Sequence, residues 1–281
     1  MITSSSQLMD RIKNLVGGDS AKAQTAMRLY AMERFFDRLS RSPWRERLFV
    51  KGGALVTALV GVSMRTTMDI DATVRGITLR EDEITRVVEE ICAIETGDGM
   101  SFHVKSADRI MDEHDYPGIR LSMEALLDRA RIPLKLDFST DDAITPGAVE
   151  LGYPRLFEDG EIPIMAYSLE TLLAEKLETV VSRGTANTRM RDFYDICVLL
   201  EMRGDSIKPP VLKAAVGATF GRRGTDSSPG NARLVLSEAK GDERMREMWS
   251  RYQKKADYAR GIAWDEAVEA VAHLVDLITT E

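Results

Sequence analysis

Cysteine is scarce: Cys92 and Cys197 are the only two in 281 residues. They lie far apart and make no metal-ligand spacing, which argues against a thiolate-held zinc and against a disulfide framework. The pair reads as reduced, buried thiols of a cytosolic chain. No apolar run approaches the roughly 20 residues that cross a bilayer. The first ten residues are polar and lack a signal core. Secretion and membrane insertion are therefore not expected, and the expected location is cytoplasmic. Internal repeats and low-complexity tracts are also missing. What is present is the composition of an ordinary folded chain of one or two domains, 44% hydrophobic and 30% charged. The net charge of -7 argues against a bulk nucleic-acid coat. Its distribution is uneven: residues 203–260 carry 13 Lys/Arg and 7 Asp/Glu, and the remainder carries 25 and 38. That split suits an enzyme holding metals in one lobe and meeting a polyanion with the other. It equally suits helical surfaces that are simply charged.

Residues 21–39 have helical spacing, with Ala26, Leu29, Tyr30 and Phe36 on one stripe. An apolar run at 48–50 stops at Lys51-Gly52-Gly53, and 54–60 reads as a helix packed behind that turn. Residues 67–74 alternate and predict a strand. Residues 80–92 predict a helix with Ile84, Val87, Val88 and Ile91 on one side. Candidate strands at 118–123 and 132–138 are joined by a turn near 128–131. Strands alternating with helices predict a compact α/β lobe over residues 1–160. From Ser168 onward the chain reads as helical, with Ser168 as N-cap and Glu170 in the first turn. Helices are predicted at 168–183, 190–202, 209–220, 242–258 and 264–279, with 221–231 as a mobile loop. The cluster of Gly152, Pro154, Gly160 and Pro163 puts the boundary near 150–165, followed by a helical domain over 161–281. The expected fold class is α+β.

Asp69 and Asp71 carry the first chemical signal. Residues i and i+2 of a strand share a face, about 6.6 Å apart. Two carboxylates at that spacing repel by about 2.5 kcal/mol at an effective dielectric near 20. A cation between them relieves the repulsion, and magnesium takes one or two carboxylates plus substrate phosphates. Asp137, in the alternating run 134–138, offers a third carboxylate from another strand. Gly52-Gly53 follows a strand and opens a helix, where backbone and helix N-terminus can approach a phosphate. Arg65 stands nearby for a phosphate contact. Lys176 falls inside the apolar stripe of Leu169, Leu172, Leu173, Leu177 and Val180 and so needs an anionic partner or a route to water. A triphosphate is one such partner. Asp192 shares a helical face with Ile196 and Leu199, flanked by Arg189 and Arg191, with Asp195 one turn on. It reads as a general base, a metal or ribose contact, or half of an ion pair, with Lys176 as the candidate partner.

Taken in order, Lys51-Gly52-Gly53-Ala54-Leu55, Arg65-Thr66-Thr67-Met68-Asp69-Ile70-Asp71, Lys135-Leu136-Asp137-Phe138, Glu175-Lys176-Leu177 and Arg191-Asp192-Phe193-Tyr194-Asp195 resemble the AbiEii/AbiGii toxin family. That family belongs to the polymerase-β-like nucleotidyltransferases and includes the MenT-type toxins. The similarity spans roughly residues 20–275. It implies a mixed-sheet nucleotidyltransferase lobe followed by a helical bundle, and a bacterial toxin–antitoxin or phage-defence role with a cognate antitoxin. It implies transfer of NMP from NTP with Mg²⁺ or Mn²⁺, and several members act on the 3′ end of tRNA. By position, Gly52 and Gly53 match the phosphate-binding turn, Asp69 and Asp71 the metal pair, and Lys176 and Asp192 the later motif positions. Lys51, Arg65, Thr67, Arg189 and Arg191 complete the expected nucleotide contacts, and Asp137 the expected metal ligands. The chain departs from the Gly-Ser turn of many relatives, so a serine contact to phosphate is missing. Two other readings stay open: transfer to a protein or small molecule, and a non-catalytic module that binds nucleotide or antitoxin.

Overall fold

The computed structural model describes residues 2–111 and 117–279. The chain divides into two compact units, one formed by residues 1–58, 66–141 and 149–166, the other by 59–65, 142–148 and 167–281. The class is α+β, as expected. The division is not the single cut near 160 that the sequence suggests: two short excursions, 59–65 and 142–148, group with the helices.

In the first unit, β1 (Leu48–Lys51), β2 (Asp69–Val74), β3 (Met100–Met111), β4 (Pro117–Leu127), β5 (Ala130–Ser139), β6 (Val149–Pro154) and β7 (Glu161–Ala166) form one mixed sheet. Its order is β3-β4-β5-β2-β1-β7-β6. Strand β2 runs antiparallel to β1 and parallel to β5. Ile70, Ala72 and Val74 of β2 and Ile132, Leu134, Leu136 and Phe138 of β5 are buried. Alternation sends Asp69, Asp71, Lys135 and Asp137 to the opposite side. Helix α1 (Ser5–Val16) packs on α2 (Ser20–Arg41), which lies against β5 and β7, while α4 (Glu81–Cys92) lies against β3 and β4. The short α3 (Gly52–Val60) follows β1 directly. The Gly/Pro cluster at 152–163 is not a linker. Gly152 and Pro154 sit on edge strand β6 and Pro163 on β7, where Gly152 pairs with Pro163; an edge tolerates residues that weaken a ladder.

The second unit holds α5 (Leu169–Arg183), α6 (Met190–Arg203), α7 (Pro209–Arg223), α8 (Pro229–Gly241), α9 (Glu243–Lys255) and α10 (Trp264–Thr279). Ser168 caps α5 by accepting from the Thr171 amide, as its position predicts. Helix α8 is the one the sequence hid. Its start falls inside the expected loop, where Ser228 accepts from the Asn231 amide and Pro229 opens the first turn. Cys92 and Cys197 are unpaired and half-buried rather than fully buried. Among the described residues, no helix is long and apolar enough to cross a membrane.

Candidate active site

In the first unit, chemistry gathers where β1 ends. Gly52 has a φ of 58°, the left-handed region that glycine enters without strain. A Cβ at this position would lie 2.2 Å from Asp71 Oδ2. The turn can therefore exist beside Asp71 only with glycine at its first position. The Gly53 amide donates to the Asp71 carboxylate, and Thr57 Oγ1 donates to the Gly53 carbonyl at 3.0 Å. The Gly53 amide in the first turn of α3 thus faces an anion, which is the natural use of a helix N-terminus.

Asp69 and Asp71 share the polar side of β2. The parallel register with β5 places Asp71 beside Asp137 and Asp69 beside Lys135, and β1 places Lys51 opposite Asp71. Desolvation and then repulsion from Asp137 raise the pKa of Asp71, and Asp69 adds to the rise, while Lys51 and the Gly53 amide oppose it. A carboxyl so placed gains from a nearby cation. Asp69 and Asp71 therefore fit a divalent ion by their chemistry, two carboxylates with room for substrate oxygens. Asp137 stands differently from the expectation. Both of its oxygens accept from Arg120, Nε at 2.8 Å and Nη2 at 2.6 Å. Among the described residues no three His, Cys, Asp or Glu side chains close on a common point. Here the third expected carboxylate is instead paired with Arg120. Arg120 lay outside the sequence reading. Its only trace was the alternation of Arg120 and Ser122 between apolar residues in β4. Thr67 is buried and its hydroxyl donates to the Asp69 carbonyl at 3.3 Å, which steadies the start of β2.

In the second unit, Lys176 lies inside the apolar stripe of α5 and is buried. Its ammonium donates to Asp192 Oδ1 at 3.1 Å and Asp195 Oδ2 at 2.6 Å. Burial would lower its pKa, but the two carboxylates outweigh burial and hold it above the usual lysine value. Arg65 is not free for a phosphate. It is 3% exposed, and its Nε donates to Asp195 Oδ1 at 2.7 Å. Tyr194 donates to the Met64 carbonyl and Arg203 Nε to the Leu59 carbonyl at 2.9 Å, so residues 59–65 are fastened to α6. Asp195 is spent on two cations. Burial would raise its pKa, but Lys176 and Arg65 together hold it below the usual carboxylate range. Asp192 keeps one buried oxygen, Oδ2, without a hydrogen bond, 3.4 Å from Arg189 Nε. Arg191 is exposed on the same helix.

The model of the family described as "Nucleotidyl transferase AbiEii toxin, Type IV TA system" matches residues 34–270. The chain belongs to this family. It is a nucleotidyltransferase of the AbiEii toxin type, and the family implies an NTP substrate and an antitoxin partner. Solved structures agree on the fold. MenT4, a nucleotidyltransferase toxin from Mycobacterium tuberculosis, is 16% identical with a TM-score of 0.60, the match covering 96% of this chain and 98% of that one. JHP933 from Helicobacter pylori is 14% identical with a TM-score of 0.53, covering 91% of each chain. Among curated proteins no sequence matches. The AbiEii match takes in both the Gly52–Asp71 region and the α5–α6 pair, so both sets of polar residues lie inside the family's own extent.

Proposed function

We propose that this AbiEii-type chain transfers a nucleoside monophosphate from an NTP to the 3′ end of a tRNA, using Mg²⁺ or Mn²⁺ held by Asp69 and Asp71. It would act in the cytoplasm as the toxin of a toxin–antitoxin pair with a role in phage defence. The observation that carries this reading is the placement of two carboxylates on one side of β2, directly beside a glycine turn that opens α3. When bound, the ion supplies charge neutralisation at the phosphates as the acceptor hydroxyl attacks the α-phosphorus in line and pyrophosphate leaves. The chain supplies the rest. The Gly52-Gly53 turn brings backbone close enough for a phosphate oxygen and keeps Asp71 in place through the Gly53 amide. In the helical unit, Lys176 fixes the orientation of the Asp192 carboxylate, whose Oδ2 lies 3.4 Å from Arg189 Nε. The tRNA acceptor follows the family resemblance.

The test is incubation of deacylated tRNA with each labelled NTP and Mg²⁺, reading label in RNA, protein and small-molecule fractions. Label at the RNA 3′ end, lost in Asp69→Asn, is the expected result. Label in protein or in a small molecule instead, or tight NTP binding with no product under any metal, overturns the tRNA reading.

A further inference from the structure

Arg120 belongs to none of the sequence motifs, yet it stands on the acidic side of the sheet. It faces Asp137 in the antiparallel register of β4 and β5. We propose that Arg120 is a phosphate contact for the triphosphate, and that Asp137 is the residue that positions it rather than a metal ligand. The proposal rests on the NTP reading above and assigns a residue to it.

Four observations converge. First, the pair is fork-to-fork: Arg120 Nε meets one oxygen of Asp137 and Nη2 the other, at 2.8 and 2.6 Å. For Asp137 to join a metal, two charge-assisted hydrogen bonds would have to break. Second, the registers set Asp137 between Asp71 of β2 and Arg120 of β4, which places Arg120 on the same side of the sheet as the expected metal pair. Third, the arginine still has donors to offer. Its side chain is 40% exposed against 20% for Asp137, and no hydrogen bond from Nη1 is made among the described residues. The guanidinium is therefore only partly covered. Fourth, Arg120 feels the charge of Asp69 and Asp71 as well as that of Asp137. A triphosphate brought to Asp69 and Asp71 carries negative charge to a face already crowded with carboxylates. A guanidinium there offsets that charge, and its planar fork, locked by Asp137, has little freedom left to lose on binding.

The experiment uses the full chain and two probes that need no turnover. Mn²⁺ binding is followed by electron paramagnetic resonance without nucleotide, and inorganic tripolyphosphate binding by calorimetry with Mn²⁺ present. Asp137→Asn is expected to keep Mn²⁺ affinity within about threefold, whereas Asp69→Asn loses tenfold or more. Arg120→Ala and Asp137→Asn should each weaken tripolyphosphate by roughly 10- to 100-fold, the scale of a charged hydrogen bond. The double variant should be no worse than Arg120→Ala alone, since the two act as one unit. Arg120→Lys should recover binding only in part, because an ammonium cannot fork. Loss of Mn²⁺ affinity in Asp137→Asn to the extent seen in Asp69→Asn overturns the proposal. Tighter Mn²⁺ binding in Arg120→Ala also overturns it, making Arg120 a mask over a metal ligand, and so does unchanged tripolyphosphate affinity. If Asp69→Asn keeps its Mn²⁺ affinity, the metal pair itself fails, and Arg120 is still judged by tripolyphosphate. Should Asp137→Asn not fold, the half-exposed Arg120 variants decide alone.

Discussion

Gly52 is constrained twice, by its backbone and by its neighbour. A φ of 58° costs an ordinary residue about 1–2 kcal/mol, and an added methyl would collide with the whole Asp71 side chain, not only its tip. Gly52→Ala should therefore lower stability by about 1–3 kcal/mol and depress turnover by displacing Asp71; thermal unfolding and initial rates check both. Asp71 itself is kept at a cost. Its pKa lies above the ordinary carboxylate value because burial and Asp137 disfavour its charge. In the window above the unfolded-state value the native chain binds more protons than the unfolded one, so stability falls as pH rises through it. Asp71→Asn removes that liability. The variant should melt at a higher temperature than the unsubstituted chain, by a margin that widens as pH rises from about 4. Its nucleotidyl transfer should fall by about 10²- to 10³-fold or more. A variant that is inactive and also less stable would contradict this account.

At the scale of the element, α5 and α6 are joined by a charge cluster in place of some of their apolar packing. Lys176 serves two buried carboxylates and Arg65 shares one of them. Lys176→Ala leaves Asp192 and Asp195 underpaired in a dry interface, a change that costs about 3–5 kcal/mol at neutral pH. The deficit should shrink in acid. Asp195 is depressed in the folded chain, so its contribution is present above the unfolded carboxylate value and is lost as pH falls through the lower folded one. Denaturant titrations of both proteins between pH 3 and 7 would show the curves converging; parallel curves would rule the cluster out as the cause. These helices were legible in the sequence because each carries its own stripe, and the lysine inside one stripe was visible as an anomaly. The strand bearing Asp69 and Asp71 was legible for the same local reason. Edge strands β3 and β6 were not, since they carry polar residues or glycine and proline that look like loop, and Pro163 disguised β7 in the same way. Arg120 escaped because its meaning lies in a partner 17 residues away on another strand, and the ion pair of Arg65 was hidden because its partner lies 130 residues away.

For the whole molecule, charge is the property the sequence suggested and the fold revises. The basic run 203–260 looked like a platform for a polyanion, but residues 167–281 together carry 17 Lys/Arg and 18 Asp/Glu. The excess is neutralised close to home. Arg233, Lys240 and Arg246 pair with Asp276, Glu269 and Asp265 of α10, and Arg223 with Glu175 and Glu178 of α5. A helical unit so balanced projects a weak long-range field, so the RNA acceptor proposed above would be held by a few local contacts rather than by steering from a broad basic surface. Each phosphate contact adds about 0.9 to the slope of log affinity against log salt for a duplex. A unit with few uncommitted cations should give a slope of roughly -2 to -4 for deacylated tRNA, with mutations of exposed Lys254 and Lys255 each flattening it by about 1. Filter binding between 50 and 300 mM salt measures it directly. A slope steeper than about -6 would mean that the paired arginines let go of their carboxylates when RNA arrives, and that the fold holds in reserve the basic surface its resting ion pairs conceal.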